Sequence, residues 1–550
     1  MSPFFLFTYP PFVDVPQHLA TLSVLKGMDD PSTGYAEKFI VEWFPNTNVG
    51  FFGVAHFLGR FMTLLWAVKM CILFYIVGLV VALIWLHRLV HGRNESPPWA
   101  FLLIFPFLYN SSLLLGLINY CMSLSLFFLW LCITLDGLGH FSWKHCLCHA
   151  LLLLALFIFH SQTYLFAGLC SAFFFFLLAG LKNRLWFSIG WVPSITLFFM
   201  WYRHKFAFSS GKLSFAGLQQ GFGSEFVPFI GNLQSIVANT IGFSRFVWWD
   251  KAILIMIAMI LWWWRPDAKL FRDQCASAIW GVIVLSVLCY FLLPLNIKLQ
   301  FYISARLLII GCILCVVLFS GYIPRLPSRP LIIACVLLPV VFYIKWLPFY
   351  QRVNTSWNEA TQLLRQVPSH AKVLGFPFLQ FEFEEGNQEE NYPTHLHVAS
   401  LFLLAKTGEV ASNFMILPSS PVRYRYPENE NIIVPDVRAN VKPWCAMLSG
   451  GWGNDSDFIL SMGTGAGLMP WWVEKGMLKY VDGKGSWFLY KRIGDLTLTE
   501  NELQEWWIPL TCNKRLDVLP NFLDIFRVDT SRNRKYDATI GWWRERYGIR

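Results

Sequence analysis

The sequence predicts a polytopic α-helical membrane protein of about ten spans that carries a C-terminal extracytoplasmic α/β domain. Three observations lead to this prediction. Of the 550 residues, 55% are hydrophobic and only 14% are charged, whereas a soluble protein carries about 25% charged residues. The shortage of charge lies in residues 64–350, where long apolar segments alternate with short polar loops. After Tyr350 the pattern changes to the short mixed segments of a water-soluble domain.

The apolar region divides into ten segments. Their approximate bounds are 64–86, 98–110, 111–135, 146–159, 163–181, 185–202, 251–264, 276–294, 306–323 and 330–350. A helix needs about 20 residues to cross the membrane. Three of the segments have only about 13–14, so these are tilted, extend into aromatic flanks or re-enter the membrane. The predicted count is therefore about ten, within about two.

The basic loops predict the orientation of these spans. Arginine and lysine collect in alternate loops, at His87–Arg93, Lys144, Lys182–Arg184, Arg265–Arg272 and Arg325–Arg329. Cytoplasmic loops carry an excess of such residues. We therefore expect this face to be cytoplasmic and the opposite loops to face outward.

This orientation divides the chain into three parts. Residues 1–63 form an outward N-terminal loop with juxtamembrane helices, residues 64–350 form the transmembrane domain, and residues 351–550 form the extracytoplasmic domain. No span precedes the N-terminal part to carry it across. We therefore expect either that an upstream first helix is missing from the chain or that a short tail is translocated unaided.

Residues 351–550 alternate between helical and extended patterns. Helices are predicted at 357–366 and 397–405. The predicted strands are 371–376, 457–461, 478–482 and 486–492, the last two joined as a hairpin by Gly483-Lys484-Gly485.

The net charge of +10 would suggest a nucleic-acid partner in a soluble protein. Here the basic residues lie in loops that set the topology, so no nucleic-acid partner is expected. Most of the 13 cysteines lie in apolar segments, where they pack as small apolar side chains. Cys445 and Cys512 fall late in the soluble part, and a disulfide between them requires that this part lies outside the cytosol.

The N-terminal stretch carries polar residues with helical spacing. Asp14, Gln17 and His18 stand at positions i, i+3 and i+4, and Pro16 suits the first turn of a helix. One interpretation is structural, with Asp14 capping the start of that helix. The other is functional, because this acid belongs to the first outward stretch and lies just outside the membrane.

This layout resembles that of the integral-membrane glycosyltransferases that use polyprenyl-phosphate sugars, which include protein mannosyltransferases, aminoarabinose transferases and oligosaccharyltransferases. These enzymes have many membrane helices, a catalytic acid in the first extracytoplasmic loop and often a C-terminal extracytoplasmic domain. The resemblance implies hexosyl or pentosyl transfer from a polyprenyl-phosphate donor to an extracytoplasmic glycan, lipid or protein acceptor. It also implies catalytic roles for Asp14 and His18, contacts with membrane lipids, and a bacterial inner membrane in preference to the endoplasmic reticulum.

One feature departs from the pattern of that family. Its motif pairs two acids one or two residues apart, whereas Val15 and Pro16 follow Asp14 here. The need for a divalent metal ion, and to a lesser degree the activity itself, is therefore left open. His18 is the residue that can replace the second acid, either as a base partner or as a metal ligand.

Other polar residues are expected near the outer membrane surface, at a depth where they cost energy and are often functional. Arg306 stands at the outer end of the ninth segment. Its forked guanidinium suits the donor phosphate, whose negative charge grows in the transition state. The residues predicted to line the substrate cavity are Gln17, Asn110, Asn119, His160 and Tyr302. For each of them the alternative is a helix cap or a side chain that extends to the interface.

Two other functions fit the same layout. A transporter or flippase is expected to show inverted repeats and paired charges at mid-membrane, and the sequence has no clear internal repeat. A non-catalytic assembly protein, whose soluble domain binds a partner, stays open because the second acid is missing. Two further patterns are weak. Gly463–Gly467 lacks the lysine of a phosphate loop, and His395 and His397 with Glu384 and Glu385 make a poor metal site.

Overall fold

The computed structural model describes residues 3–92, 99–178, 180–208, 274–294, 303–320, 329–377, 397–410, 420–425, 456–462 and 468–496. The chain divides into two compact units. The first unit combines residues 1–41 with residues 349–550, and the second contains residues 42–348. The first unit therefore draws on both ends of the sequence.

Helices form most of the described part of the chain. In chain order they are α1 (Val15–Gly27), α2 (Tyr35–Lys38), α3 (Gly50–Leu58), α4 (Leu64–His91), α5 (Phe105–Leu108), α6 (Ser111–Leu114), α7 (Ile118–Asp136), α8 (Trp143–Phe159), α9 (Ser161–Leu177), α10 (Leu181–Phe208), α11 (Gln274–Leu292), α12 (Ile303–Ser320), α13 (Arg329–Leu364), α14 (Phe402–Ala405) and α15 (Leu468–Glu474). Short 3₁₀ helices lie at Pro3–Phe5, Pro31–Thr33, Trp99–Ile104 and Val398–Leu401.

Five helices of the described part are long and apolar enough to cross a membrane. They are α4, α7, α10 over Leu181–His204, α11 and α12. These helices correspond to five of the predicted segments, with bounds that shift by a few residues. Three shorter apolar stretches lie at Leu102–Leu114, Trp143–Phe159 and Ser161–Leu177. The predicted segment 251–264 lies outside the described residues, so the total of about ten spans stays a prediction.

The structure corrects the second and third predicted segments. Residues 98–110 do not form one helix, because a 3₁₀ helix leads into α5 and the chain then turns. The side chain of Asn110 accepts hydrogen bonds from the backbone N–H groups of Ser112 and Leu113 and so starts α6. Gly116 has a φ of 83°, which glycine adopts readily. The third span consequently begins at Ile118 rather than at residue 111.

Small residues bring helices of the second unit close together. A Cβ atom added to Gly311 of α12 would lie 3.1 Å from Cβ of Ser286 in α11. The same holds between α4 and α7, where Gly78 would meet Ser125 at 3.3 Å. Close approach through small residues is how membrane helices gain packing contacts, because the lipid surroundings provide little hydrophobic drive.

Helix α13 joins two predicted elements. The segment 330–350 and the helix 357–366 are one helix of 36 residues, because no glycine or proline stands between Tyr350 and Leu364 to end it. The helix ends shortly before Pro368, which disfavours helical backbone at the preceding residue. The division between the two units falls within α13.

The first unit contains a mixed sheet. Its strands are β2 (Lys372–Pro377), β3 (Glu409–Val410), β5 (Phe458–Met462), β6 (Leu478–Lys484) and β7 (Trp487–Arg492). They lie in the order β3-β2-β5-β7-β6, with β2 parallel to β3 and β5 and the remaining pairs antiparallel. All four predicted strands are confirmed. Gly485, with a φ of 56°, closes the predicted β6–β7 hairpin.

The N-terminal residues pack against this C-terminal part of the same unit. Strand β1 (Phe39–Val41) pairs antiparallel with β4 (Val422–Tyr424). Helix α1 contacts α14 and the 3₁₀ helix that precedes it. Ser23 donates a hydrogen bond to the carbonyl oxygen of Leu403, and the hydroxyl groups of Tyr9 and Thr361 lie 3.2 Å apart. These contacts bring the beginning of α1 beside the residues that start at His397.

Candidate active site

Asp14 stands at the N-cap position of α1 but does not act as a cap. Pro16 occupies the first turn, and the backbone N–H of His18 donates to the carbonyl oxygen of Asp14 over 3.0 Å. The carboxylate of Asp14 makes no capping hydrogen bond. The helix start that the sequence predicted is therefore present. The interpretation of Asp14 as the cap of that helix is not supported.

The carboxylate of Asp14 instead faces the imidazole of His397. Oδ1 of Asp14 lies 3.5 Å from Nε2 of His397, which is longer than an ordinary N–H···O hydrogen bond. On the other side of the ring, Nδ1 of His397 lies 3.1 Å from the amide nitrogen of Gln17. The side chains of Asp14 and His397 are 15% and 2% exposed. The acid can thus be reached from solvent, whereas its neighbour is enclosed.

Gln17 and His18, the polar residues in the first turn of α1, are buried with this pair. Gln17 lies one turn along the helix from Asp14, and its side chain connects α1 to His397. His18, the other residue with a predicted catalytic role, is buried on the same turn. The i, i+3, i+4 spacing therefore does place these side chains together in the first turn of one helix.

A second polar cluster surrounds Arg306 in the interior of the second unit. This arginine lies on the apolar helix α12 and is buried. Its Nη1 donates to Nε2 of His160 over 3.0 Å and to Oε1 of Gln162 over 3.3 Å. The guanidinium carbon lies 5.6 Å from the centre of the Tyr120 ring, and the Tyr120 hydroxyl donates to the carbonyl oxygen of Arg306 over 2.6 Å.

The arginine sets the direction of a chain of hydrogen bonds. Because a guanidinium only donates, Nε2 of His160 accepts and the proton of the ring lies on Nδ1. Nδ1 then donates to the hydroxyl of Thr163 over 3.1 Å. Thr163 is 2.8 Å from the hydroxyl of Ser123, which itself donates to the carbonyl oxygen of Tyr120 over 2.7 Å. Each hydroxyl therefore has one donor role and one acceptor role. The backbone nitrogen of Thr163 also lies 3.4 Å from Nδ1, but a protonated Nδ1 cannot accept from it.

The other predicted cavity residues have structural partners. Asn110 caps α6, and its amide nitrogen contacts the hydroxyl of Tyr75 over 3.1 Å. Asn119 accepts a hydrogen bond from the backbone N–H of Phe51 over 3.0 Å at the start of α3. Tyr302 lies outside the described residues. Of the predicted set, the structure brings His160 to Arg306 and Gln17 to Asp14.

No group of three or more His, Cys, Asp and Glu side chains within the described ranges could hold a metal ion. His395, Glu384 and Glu385, which the sequence grouped with His397, lie outside those ranges, as do Cys445 and Cys512. A requirement for a divalent metal ion therefore stays open.

His397 is the residue of this site whose role the sequence did not indicate. It was considered only as a poor metal ligand, whereas the structure places it against Asp14. The two residues are 383 positions apart in the sequence, and no spacing rule connects residues so distant. Gln162 belongs to the polar turn 160–163 that the sequence shows between two apolar segments, but no specific role was predicted for it.

Comparison with known proteins finds the same architecture in solved structures. No family model matches the sequence, and no curated protein matches it. The crystal structure of ArnT from Cupriavidus metallidurans bound to undecaprenyl phosphate superposes with a TM-score of 0.50, covering 88% of this chain and 95% of ArnT at 10% identity. The apo form of the same protein gives a TM-score of 0.51 over 88% and 94% of the two chains, again at 10% identity.

The chain has an ArnT-like fold. ArnT is an integral-membrane aminoarabinose transferase, so the distant resemblance that the sequence suggested is confirmed at the level of the fold. The apolar helices and this likeness together show a multi-pass membrane protein. At 10% identity the ArnT likeness concerns the fold alone, and the chemistry must be argued from the residues of this chain.

Proposed function

We propose that this protein transfers a sugar from a polyprenyl-phosphate donor to an extracytoplasmic acceptor. The observation that carries the proposal is Arg306, an arginine buried on an apolar helix. Hydrogen bonds to His160 and Gln162 orient its guanidinium. A guanidinium oriented in this way suits the oxygen atoms of an anion such as a phosphate.

The transfer requires two kinds of residue. The acceptor oxygen forms a bond to the anomeric carbon, and the bond between that carbon and the donor phosphate oxygen breaks. Asp14 takes the proton of the acceptor hydroxyl, while Arg306 stabilises the negative charge that grows on the departing polyprenyl phosphate. A direct displacement of this kind inverts the anomeric centre and needs no second carboxylate as a nucleophile.

The exposure of each residue suits its role. A general base must reach the hydroxyl of an incoming acceptor, and the side chain of Asp14 is partly accessible. A phosphate-binding cation acts most strongly where water is excluded, and Arg306 is only 7% exposed. ArnT, which shares the fold, was crystallised with undecaprenyl phosphate, and this supports a lipid phosphate as the donor class here.

The proposal includes an orientation. The basic segments at Arg88, Lys182, Arg265 and Arg325 face the cytoplasm, whereas residues 1–63 and 351–550 lie outside it. Transfer then takes place on the outer side of the membrane, which we assign to a bacterial inner membrane. The acceptor is a glycan, a lipid or a protein, and the sugar is a pentose or a hexose.

The experiment uses the purified protein in lipid vesicles. Undecaprenyl-phosphate-linked pentose and hexose are supplied as donors, with membranes of the source cell as a pool of acceptors, and released undecaprenyl phosphate is measured. We expect release with the native protein and with Arg184→Ala, a control arginine that contacts the Phe175 ring in the same unit. Arg306→Ala should release little.

Two outcomes would replace the proposal. Movement of the intact donor across the vesicle membrane without release indicates a flippase. Neither movement nor release indicates an assembly protein.

A further inference from the structure

We infer that His397 is a positioning residue for Asp14. Its Nε2–H holds Oδ1 of the carboxylate and so leaves Oδ2 directed to the acceptor hydroxyl. This inference rests on the proposed function, because it assigns a partner to the proposed base. It means that a residue of the C-terminal part of the chain completes a site that begins near the N-terminus.

The tautomer of His397 follows from its contact with Gln17. The amide nitrogen of Gln17 lies 3.1 Å from Nδ1 of His397. An amide nitrogen donates and does not accept, so Nδ1 is the acceptor of this bond. The ring then carries its proton on Nε2, which is the nitrogen that faces Asp14. Gln17 thus sets the tautomer in which His397 can donate to the carboxylate.

The burial of the three residues separates their roles. His397 and Gln17 are 2% and 1% exposed, whereas the Asp14 side chain is 15% exposed. The ring contacts Asp14 and Gln17 at the start of α1, and His397 directly precedes the buried 3₁₀ helix Val398–Leu401. A buried ring with one fixed tautomer orients its neighbour. This geometry is that of an orienting group beside an accessible base.

The distance between the pair is also informative. At 3.5 Å, Nε2 and Oδ1 are beyond an ordinary hydrogen bond. Catalytic hydrogen bonds are often long without substrate and shorten in the complex. A small rotation of the Asp14 side chain brings Oδ1 within range of a fixed Nε2–H, and this rotation also sets the direction of Oδ2.

The alternative is that His397 has only a structural role, in which it holds α1 against the segment that begins at residue 397. Two substitutions distinguish the roles because they differ in reach. In His397→Gln the amide nitrogen takes about the place of Nε2, so donation to Asp14 survives. In His397→Asn the side chain ends near the place of Nδ1 and cannot reach Asp14. Both variants remove the ring, and so a merely structural role predicts similar losses.

The first readout is kinetic and uses the undecaprenyl-phosphate-linked sugar that the native protein consumes. We expect His397→Gln to retain most of kcat, and His397→Asn to lose about 10²-fold in kcat with little change in KM, because misplacing a catalytic group has a cost of this order. Adding His397→Asn to Asp14→Asn should cause no further loss, since the two residues act as a unit. Equal activity of the Gln and Asn variants would overturn the inference, even where Asp14→Asn is inactive and the proposed function stands.

The second readout needs no substrate. Nitrogen-15 spectra of histidine-labelled full-length protein, compared with the spectrum of His397→Gln, identify the signals of His397. We expect the shifts of a ring protonated on Nε2, and a change of tautomer in Gln17→Met, which keeps the volume of the side chain but removes the donor. A native ring protonated on Nδ1 would contradict the inference whether or not sugar transfer is observed. If His397→Asn does not fold, the spectra of the native protein and of Gln17→Met still test the inference, because they report the tautomer of His397.

Discussion

Nη1 of Arg306 donates a hydrogen bond to Nε2 of His160 over 3.0 Å. This single contact assigns the proton of the imidazole to Nδ1, and through Thr163 it orders the hydroxyl groups behind it. The guanidinium is therefore held in one position before any ligand arrives. Pre-positioned charge of this kind stabilises a growing negative charge without reorganisation during the reaction.

The hydrogen-bond chain behind Arg306 can be tested through Thr163. Thr163→Val keeps the shape but removes the hydroxyl that accepts from His160. We expect a loss of about 1–3 kcal/mol in the free energy of unfolding, the cost of an unsatisfied buried polar group. Thr163→Ser keeps the hydroxyl and should lose less. Denaturant titration in detergent compares the two variants. A Val variant as stable as the Ser variant would show that the hydrogen bonds behind Arg306 do not contribute to stability.

Binding of undecaprenyl phosphate tests the guanidinium itself. Arg306→Ala should weaken binding by about 10–100-fold, because hydrogen bonds to charged groups contribute about 1.5–3 kcal/mol. Arg306→Lys keeps the positive charge but loses the forked guanidinium, so its affinity should lie between those of the native protein and Arg306→Ala. Native mass spectrometry of the protein in lipid discs measures the affinities, with Arg184→Ala as the control. Unchanged binding in Arg306→Ala rules this role out.

The orientation is tested by labelling introduced cysteines from outside intact cells. Lys182 is an exposed basic residue in the first turn of α10, and Glu474 is an exposed residue of the first unit. We expect Glu474→Cys to be labelled and Lys182→Cys to be protected, because basic loops remain in the cytoplasm. The native chain gives the background, since Cys148 is itself exposed. Labelling of Lys182→Cys together with protection of Glu474→Cys would show that the protein has the opposite orientation.

The stability effect of Asp14 separates a capping role from a catalytic one. Loss of a capping aspartate costs about 0.5–2 kcal/mol, but the Asp14 side chain makes no capping bond. We therefore expect Asp14→Ala to lower the free energy of unfolding by less than about 0.5 kcal/mol. Denaturant titration of the purified variant provides the value. A larger loss of unfolding free energy would indicate that Asp14 has a structural role.

The sequence predicted those parts of the fold that rest on local pattern. The apolar lengths of α4, α11 and α12 and the alternation in β2, β5, β6 and β7 are properties of neighbouring residues. The turn at Asn110 lies at the predicted boundary between the second and third segments, but the short helices on either side of it and the start of α7 at Ile118 were not predicted. Apolar residues continue on both sides of the turn, so hydropathy alone does not show where each helix stops.

The candidate site was predictable to the same extent. Asp14, Gln17 and His18 share one helical turn, and Arg306 and His160 stand out as polar residues beside apolar segments. The partnership of Asp14 with His397 depends instead on how both ends of the chain pack in one unit. The same holds for β1 and β4, whose three-residue strands are too short to show a period.

Sugar transfer by Asp14→Asn tests the central claim most directly. Asparagine keeps the shape of aspartate but cannot take a proton at neutral pH, so the base is removed while the fold is preserved. Asp30→Asn is the matched control, because Asp30 is an exposed aspartate that accepts from the backbone N–H of Ser32 over 2.9 Å. With both variants at equal expression in membranes, release of undecaprenyl phosphate from its linked sugar is measured. We predict full activity for Asp30→Asn and a loss of about 10²–10⁴-fold for Asp14→Asn. Full activity in Asp14→Asn would contradict the assignment of Asp14 as the base.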